Sequence, residues 1–459
     1  MPKRKDKTQS PEERLQEMLV PESEQPYPVP ENWCWTYWGV VGDFFAGSGF
    51  KEECQGKQDL PIPFYKVGSL KSSDIQGYLQ DISNTVDDEI RELLHATLIP
   101  KNSLIFAKIG EAIRLNRRAL NSAPCCIDNN LTAFISKKCN FVYVYFWSQN
   151  IDLYKFTNAT TVPAIRKSDL ESISFPLPPL PEQQRIVDRI ESLFSKLDAA
   201  KTKAQAVVDS HESRKAAILH KAFTGELTKK WREKKNQSFA EWTQTDIKHV
   251  VDSIRYGTSE KSDYSNTGTP VLRIPNIGAG NIDFSDIKFL SQEPDDASLV
   301  HKGDILIIRS NGSRELVGNA ALIGDLDRAY AYASFLIRLR PSDCINPNFL
   351  VLYLNSIDAR RQMFNSAKSS AGINNINSQE IGRISFHMPG LEEQEAIVSL
   401  IENILDKEQE SVDIANIMIE RVDAMKKSIL SRAFRGELGT NDPREESAVG
   451  LLMQDIEEK

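Results

Sequence analysis

Basic and amide side chains cluster in polar stretches of this sequence that are flanked by apolar runs. Arginine and lysine can donate hydrogen bonds to O6 and N7 of guanine, and asparagine can pair with N6 and N7 of adenine. The candidate side chains for such contacts are Lys108, Arg114, Asn116, Arg117, Arg118, Arg273, Asn276, Arg309, Asn311, Ser313 and Arg314. The same composition is typical of a solvated charged surface, so composition alone leaves both interpretations open.

Two of these stretches share one pattern, LIFAKIGEAIRLNRRAL (104–120) and ILIIRSNGSRELVGNAAL (305–322). Each pattern predicts an apolar strand, a Gly-containing loop rich in Arg and Asn, and then a second strand. Backbone amides of Gly and Ser at a strand end can also approach a phosphate group. We therefore expect two loops of the same kind in one chain.

The sequence contains an internal duplication. SFPLPPLPEQQRIVDRIESLF (174–194) corresponds to SFHMPGLEEQEAIVSLIENIL (385–405), and AAILHKAFTGEL (216–227) corresponds to KSILSRAFRGEL (427–438), both at a separation of 211 positions. Weaker echoes lie upstream, where CNFVYVYFWS (139–148) corresponds to PNFLVLYLNS (347–356). The second of these has helical spacing, and we predict a helix for both. A repeat of this length predicts two copies of one structural unit.

The stretch DFFAGSG (43–49) is a candidate cofactor loop of the kind found in methyltransferases that use S-adenosylmethionine, because two glycines could let the backbone approach a nucleotide. In the second copy, Gly47-Ser48-Gly49 falls on Gly257-Thr258-Ser259, so one glycine is lost. An adenine methyltransferase also needs an Asp/Asn-Pro-Pro-aromatic motif, and the nearest run, from Asn346 to Phe349, lacks the second proline. We interpret Gly47 as part of a strand-end turn and expect no cofactor in this chain.

Composition limits the remaining classes of function. The chain has 459 residues, 40% hydrophobic content and a net charge of −8, which argues against diffuse binding to a polyanion but permits a local basic face. No apolar run is long enough for a membrane span and the charged N-terminus is unlike a secretory signal, so we expect a cytoplasmic protein of two or three domains. The six cysteines and six histidines lack metal-ligand spacing, which predicts free thiols and no metal site.

Two heptad patterns predict long helices. Apolar residues alternate at spacings of four and three in the first helix and, with an interruption at Glu408 and Ser411, in the second. The first seam is Ile186, Ile190, Leu193, Leu197, Ala200, Ala204 and Val207, and the second is Ile397, Ile401, Ile404, Ala415, Met418, Val422, Met425 and Ile429. One such seam is also typical of an ordinary bundle helix, but two matching seams favour an antiparallel coiled coil with a pseudo-twofold axis.

The predicted fold class is therefore α+β, with two α/β lobes separated by two long antiparallel helices. The expected segments are an N-terminal extension (1–30), a first lobe (31–180), a first helix (181–227), a second lobe (228–390), a second helix (391–438) and an acidic, partly disordered tail (439–459). Two lobes held at a fixed separation suit a ligand with spaced sites, such as duplex DNA.

The paired segments PLPPLPEQQRIVDRIE with KAAILHKAFTGELT, and PGLEEQEAIVSLIE with KKSILSRAFRGELG, resemble the specificity subunits of type I restriction–modification systems. The resemblance implies that each lobe is a target recognition domain for one half of a split DNA sequence. It implies that the helices set the gap and hold two methyltransferase subunits, which bind S-adenosylmethionine and methylate adenine N6. A restriction subunit that uses ATP and Mg²⁺ is a possible further partner. The family pattern implies no catalytic residue and no membrane contact for this chain.

The same resemblance bears on the two Gly-containing loops within 104–120 and 305–322, which we call the first and second recognition loops. The run Arg309-Ser310-Asn311-Gly312-Ser313, followed by Val317-Gly318, is similar to a loop common in such domains, whereas Lys108-Ile109-Gly110 and Asp128-Asn129-Asn130 resemble a different type. The two half-sites should therefore differ. Two other classes stay open: a coiled-coil scaffold whose lobes bind proteins, and an enzyme in its own right.

Overall fold

The computed structural model describes residues 10–74, 76–158, 162–265, 267–366, 368–370 and 373–457. The chain divides into two compact units. Unit 1 consists of the residues up to 203 and those from 418 onward, and unit 2 consists of residues 204–417. Each unit therefore contains one lobe together with part of both long helical segments. Within the described residues, no helix has the length and apolar character that a membrane crossing requires.

The strands are numbered in chain order. Those of unit 1 are β1 (Cys34–Tyr37), β2 (Gly42–Ala46), β3 (Ile62–Tyr65), β4 (Thr85–Val86), β5 (Leu104–Ala107), β6 (Arg118–Leu120), β7 (Cys126–Ile127), β8 (Leu131–Ser136) and β9 (Ser174–Leu177). Those of unit 2 are β10 (Thr243–Asp246), β11 (Val251–Tyr256), β12 (Ser262–Asp263), β13 (Thr269–Leu272), β14 (Lys288–Leu290), β15 (Leu299–Val300), β16 (Ile305–Ile308), β17 (Ser310–Asn311), β18 (Ala320–Leu322), β19 (Tyr330–Tyr332), β20 (Leu336–Pro341), β21 (Lys368–Ser370), β22 (Ile373–Asn375) and β23 (Ser385–Met388).

The helices are likewise numbered along the chain. They are α1 (Pro11–Met18), α2 (Asp88–Leu93), α3 (Phe141–Gln149), α4 (Lys167–Glu171), α5 (Leu180–Asp209), α6 (His211–Phe223), α7 (Lys229–Lys235), α8 (Pro347–Leu354), α9 (Ile357–Ser366), α10 (Ser378–Gly382), α11 (Leu391–Ala433) and α12 (Val449–Glu457). The apolar runs after Asn140 and Asn346 form α3 and α8, so the prediction of a helix in both copies is confirmed.

The main sheets of the two units have the same topology. The main sheet has the order β2-β8-β5-β6 in unit 1 and β11-β20-β16-β18 in unit 2, with antiparallel neighbours. A second sheet in each unit contains one parallel pair, β3 with β7 and β13 with β19. The mixed helix-and-sheet architecture that the sequence predicts is present in both copies.

The predicted single helix over residues 181–227 is instead two helices, α5 and α6, interrupted at Ser210. The hydroxyl of Ser210 donates to the carbonyl oxygen of Ala206 at 2.5 Å, and this side-chain bond competes with regular helical geometry. The second long helix, α11, runs unbroken from Leu391 to Ala433. The repeat in sequence therefore does not carry over into equal helix continuity.

The long helices are paired antiparallel within each unit. In unit 1, Asp198 of α5 accepts from Lys426 of α11 at 2.6 Å, and Lys201 contacts Asp423 at 3.1 Å. The residue number rises on one helix as it falls on the other, which establishes the direction. In unit 2, Arg214 of α6 pairs with Glu408 of α11 at 2.5 Å. At Glu408, where the apolar heptad pattern is interrupted, the two helices are therefore joined by an ion pair.

The predicted seam of α11 is wrong at two other positions. Met418 and Met425 are 42% and 53% exposed, whereas Val412, Ala415 and Val422 are buried. The inward positions alternate at spacings of three and four: Val412, Ala415, Ile419, Val422 and Lys426. Lys426 occupies an inward position because its ammonium nitrogen lies 4.9 Å from the ring centre of Phe194 and pairs with Asp198.

A buried glutamine explains part of the repeated motif. The side chain of Gln183 accepts from the backbone N–H of Asn140 at 2.8 Å and donates to the carbonyl of Pro178 at 2.9 Å. Gln394 makes the same two bonds to Asn346 and Pro389, at 2.7 and 2.9 Å. Because Asn140 and Asn346 are the N-caps of α3 and α8, each glutamine fastens the start of a long helix to a lobe helix.

A buried glutamate precedes each of these glutamines. In unit 2, Glu393 accepts from Thr228 at 2.7 Å, from Arg232 at 2.6 Å and from the Trp242 indole at 2.8 Å. In unit 1, the corresponding Glu182 accepts from Thr440 at 2.7 Å and from Arg185 at 2.8 Å. Each carboxylate therefore ties the start of one long helix to the segment that follows the other.

The segment from Gly439 to Glu457 is a folded part of unit 1, so the prediction of a partly disordered tail is wrong for its described residues. Ala448 and Leu452 are fully buried, and α12 packs against α1. Asn32 donates to the carbonyl of Asp442 at 3.0 Å, and Glu445 pairs with Arg185 at 2.7 Å. The acidic composition hid a few apolar residues that complete the core.

The two buried glutamates predict different costs of neutralisation. Among the described residues Arg232 has no second carboxylate partner, whereas Arg185 also pairs with Glu445. Burial raises the pKa of Glu182 although Thr440 and Arg185 act in the opposite direction. We expect Glu393→Gln to lower the free energy of unfolding by about 3–5 kcal/mol, and Glu182→Gln by about 1 kcal/mol. Calorimetry of both variants measures this, and equal losses would contradict the asymmetry.

Candidate nucleic-acid interface

Four backbone segments meet at one end of the main sheet in unit 1. They are the end of β2, the loop that follows β5, the turn between β7 and β8, and the segment before α4. Ser48 N–H donates to Ile127 at 3.0 Å, Lys108 N–H to Asn130 at 2.9 Å, and Ile165 N–H to the carbonyl of Lys108 at 3.0 Å. We call these hydrogen-bonded segments the strand-end frame.

Unit 2 contains the same strand-end frame. Thr258 N–H donates to Tyr332 at 2.8 Å, Arg309 N–H to Phe335 at 3.0 Å, and Ile376 N–H to the carbonyl of Arg309 at 2.8 Å. The pairs Lys108 with Arg309 and Asn130 with Phe335 therefore occupy corresponding positions. One backbone arrangement presents different side chains in the two units.

A glycine makes the close contact between segments possible in each frame. A Cβ atom on Gly47 would lie 1.9 Å from the carbonyl oxygen of Asp128, and one on Gly257 would lie 2.1 Å from that of Tyr332. A Cβ on Gly49 would meet nothing within 4 Å. These contacts agree with the interpretation of Gly47 as a strand-end residue, and they explain why only the first glycine of the pair recurs.

Lys108 begins the recognition loop of unit 1. It is half-buried, and the described residues provide its ammonium group with no hydrogen bond or ion pair. Burial lowers the pKa of Lys108, and the nearby carboxyl of Asp128 acts in the opposite direction. Burial in turn raises the pKa of Asp128, although the Asn130 amide donates to it. An ammonium group with free donors at the start of a loop can bind an anion or donate a hydrogen bond to a base edge.

Arg309 occupies the corresponding position in unit 2. Its guanidinium lies 4.6 Å from the ring centre of Tyr256 and donates weakly to the carbonyl of Ser334 at 3.4 Å. Tyr256 is itself fixed, because its hydroxyl accepts from the backbone of Ser378 at 2.9 Å. The buried Nε atom of Arg309 has no partner in the described part of the chain. The contact with Tyr256 orients a planar donor group of the kind that can bind a guanine edge with two hydrogen bonds.

The other basic residues of the first loop divide into exposed and buried ones. Arg114 is exposed, lies 3.7 Å above the ring of Tyr154 and pairs with Glu111 at 2.8 Å. Arg117 is half-buried, and no described side chain is its partner. Both remain candidates for contact with a ligand.

Arg118 and Asn116 do not fit the predicted contact role. Arg118 is 6% exposed and donates to the Asn116 side chain at 2.8 Å, and Asn116 donates to the carbonyl of Ile151 at 3.0 Å. Burial lowers the pKa of Arg118. Asn116 has a φ of 50°, in the left-handed region. The two side chains hold the loop in shape, so the prediction that they face a ligand is corrected.

Arg273 and Asn276 also have structural roles. Asn276 is 1% exposed, accepts from the Arg273 backbone at 2.8 Å, and donates to the carbonyls of Asp283 and Asp286. The side chain of Arg273 pairs with Asp286 at 2.9 Å. These bonds organise the loop after β13 and leave Asn276 unavailable to a base.

The rest of the second recognition loop is accessible. Asn311 accepts from the backbone of Ser313 at 2.8 Å in a tight turn, and Arg314 is exposed with its guanidinium 5.3 Å from the ring centre of Phe364. Sequence analysis missed two exposed aromatic residues beside this loop, Tyr256 and Phe335. The repeat register contained the signal, since Tyr256 is the last residue of β11, which corresponds to β2, and Phe335 lies in the turn before β20, which corresponds to β8.

The described residues contain no group of three or more His, Cys, Asp and Glu side chains that could hold a metal ion. A different concavity lies in unit 1, a cleft of 1010 Å³ between the recognition loop and the long helices. Its lining mixes the apolar side chains of Phe146, Phe194 and Leu430 with acidic and basic groups such as Glu191 and Lys427. A mixed lining of this kind suits a protein surface better than a polyanion.

The glycine contacts predict unequal effects of two similar substitutions. Gly47→Ala forces a methyl group against the Asp128 carbonyl, so we expect a loss of about 1–3 kcal/mol in the free energy of unfolding. Gly49→Ala is the matched control and should change it by less than about 0.5 kcal/mol. Denaturant unfolding of both variants checks this. A loss for Gly49→Ala as large as for Gly47→Ala would contradict this steric account of the two glycines.

Comparisons with known proteins agree with the duplicated fold. The family model of the type I restriction modification DNA specificity domain matches residues 39–208 and again residues 240–415. The EcoKI specificity subunit of Escherichia coli (strain K12) is 31% identical over 277 residues, which cover 60% of this chain and 60% of that relative. The StySPI specificity subunit of Salmonella potsdam is 29% identical over 425 residues, covering 89% and 90%.

A solved structure supports the same assignment at the level of the fold. The HsdS subunit from Thermoanaerobacter tengcongensis superposes with a TM-score of 0.62 at 20% identity, covering 91% of this chain and 100% of that chain. The family model accounts for most of the chain in two successive matches, one on each lobe and its following helix. The chain therefore belongs to the family of type I restriction–modification DNA specificity subunits.

Proposed function

We propose that this protein is the non-catalytic subunit that gives a type I restriction–modification complex its DNA sequence specificity. Each unit recognises one half of a bipartite target in double-stranded DNA. The observation that carries the proposal is the repeated strand-end frame, which presents Lys108 in unit 1 and Arg309 in unit 2 on matching hydrogen bonds.

The difference between the two frames supports an asymmetric target. Arginine at position 309 can bind a guanine edge with two hydrogen bonds, whereas the ammonium group of Lys108 is a point donor. Asn130 can pair with adenine, whereas its counterpart Phe335 offers only an apolar contact. Two identical half-sites would need the same side chains at these positions, so the two halves of the target differ.

The partners follow from the repeated helices and from the charge. We propose that the long helices form a coiled-coil spacer that sets the gap between half-sites and holds two methyltransferase subunits, one at each copy of the repeat. The mixed-charge cleft of unit 1 offers an apolar floor for a protein contact. The net charge of −8 makes tight binding of DNA by the isolated chain unfavourable, so the partner subunits contribute part of the affinity of the complex for DNA.

The chemistry of the complex resides in those partners. The methyltransferase subunits carry S-adenosylmethionine and methylate adenine N6, and a restriction subunit, where one is present, uses ATP and Mg²⁺. This chain recognises the target sequence. Its contacts to phosphate position the complex on the DNA, and a few side chains contact base edges. The complex acts on cytoplasmic DNA.

Exchange of one lobe tests the proposal. Replacing residues 38–173 with the lobe of another family member leaves β1 and β9 in place as the junction. The reciprocal control replaces residues 247–384 and retains β10 and β23. With the methyltransferase subunits co-expressed, methylation mapping should show a change in one half of the motif for each exchange, and a different half in each. If both halves change together, or if the motif is unaffected, independent recognition by the units is wrong.

A point substitution tests the role of Arg309. We expect Arg309→Ala to weaken specific binding by about 1–3 kcal/mol and to relax the base choice at one position of the half-site recognised by unit 2. Arg273→Ala is the control, because its side chain is already paired with Asp286 and should leave base choice unchanged. Competition binding with duplexes varied at each position measures both effects. Equal weakening on all sequences would make Arg309 a phosphate contact.

A further inference from the structure

Phe335 is a large apolar side chain that the fold leaves in solvent. It is 56% exposed, whereas the next residue, Leu336, is fully buried in the core of unit 2. The turn that carries Phe335 is well fixed, because Leu336 N–H donates to Ala333 at 2.9 Å and Arg309 N–H donates to Phe335 at 3.0 Å. An exposed aromatic ring on a hydrogen-bonded turn is available for contact with another molecule.

The position of Phe335 places this ring beside the candidate guanine contact. The backbone bond from Arg309 makes the two residues direct neighbours, and Ser334 N–H donates to Thr258 at 2.7 Å in the adjoining segment. The guanidinium of Arg309 is already oriented by Tyr256. The frame of unit 2 therefore carries a planar donor and an exposed apolar residue on two hydrogen-bonded backbone segments.

The chemistry of the two side chains selects a ligand. In the major groove guanine presents two acceptors, and thymine presents a C5-methyl group that favours apolar contact. Unit 1 has Asn130 at the corresponding position, a side chain suited to adenine. Because a hydrogen-bonded turn carries Phe335, we expect its ring to contact a base edge rather than to insert between base pairs.

We infer that Phe335 is a specificity-determining residue that contacts the C5-methyl group of a thymine in the half-site recognised by unit 2. The inference rests on the proposed function and goes beyond it by naming the base and the chemical group. Cytosine lacks this methyl group, so the contact discriminates a T·A pair from a C·G pair. Unit 1 makes no equivalent contact, because Asn130 is polar.

Removal of single methyl groups from the DNA tests the inference. The assembled complex with its methyltransferase subunits is titrated with duplexes that carry its mapped target. Each thymine is replaced in turn by deoxyuridine, which lacks only the methyl group. One replacement in the half-site of unit 2 should weaken binding about fourfold, equivalent to ~0.8 kcal/mol for one buried carbon group. Fluorescence anisotropy measures each dissociation constant.

The variant Phe335→Ala completes the cycle. It should weaken binding to the thymine duplex and make the complex indifferent to that same deoxyuridine. Phe335→Leu keeps an apolar contact and should retain part of the discrimination. Deoxyuridine in the half-site of unit 1 is the control and should affect the wild-type complex and Phe335→Ala equally. Because Phe335 is exposed, thermal unfolding of the variants should be unchanged.

The possible outcomes separate this inference from the function on which it rests. A complex that prefers its mapped target but ignores every deoxyuridine, or a half-site without thymine, overturns the inference and leaves the proposed function intact. The inference also fails if Phe335→Ala retains the response to deoxyuridine, or if it disrupts assembly with the methyltransferase subunits, since the ring would then contact protein. Absence of any preference for the mapped target would instead overturn the proposed function.

Discussion

The burial of one carboxylate at the start of each long helix organises both units. A charge removed from water must be paired, and Glu393 is paired with Arg232 while Glu182 is paired with Arg185. The neighbouring Gln183 and Gln394 accept hydrogen bonds from the N-cap residues of the lobe helices, Asn140 and Asn346. Helix start, lobe and returning chain are thus joined at one point, and neither a lobe nor a helix can shift without leaving a buried polar group unsatisfied.

The strand-end frames show how one fold can present different side chains at the same position. Their hydrogen bonds join backbone atoms and so do not depend on most side chains. The same frame therefore carries a lysine, Lys108, in unit 1 and an arginine, Arg309, in unit 2. Glycine is the exception, because Gly47 and Gly257 allow two segments to approach more closely than any side chain permits. Exposed side chains can therefore differ between the two units. A buried side chain such as that of Asn276 cannot contact a ligand, because it is hydrogen-bonded within its own loop.

Several features escaped sequence analysis for identifiable reasons. Heptad spacing predicted Met418 and Met425 at the seam, but an alternative register with Lys426 is satisfied by the Phe194 ring and by Asp198. The acidic composition after residue 438 predicted partial disorder, but the side chains of Ala448 and Leu452 are fully buried in the core of unit 1. Arginine and asparagine occur both at ligand contacts and at buried positions that stabilise loops. Residue type alone therefore does not show that Arg118 is buried and Arg114 exposed.

The sequence by itself determined the duplication, the helices after Asn140 and Asn346, the strands that flank the two Arg- and Asn-rich loops, and the family. These features depend on local periodicity and on repeated motifs, which are written in the order of the residues. Only the tertiary structure decided which cations face outward, why one glycine of the pair recurs, and that Phe335 stands beside Arg309. Those facts depend on contacts between segments far apart in the chain, where burial and hydrogen-bond satisfaction, rather than residue type, assign each side chain its role.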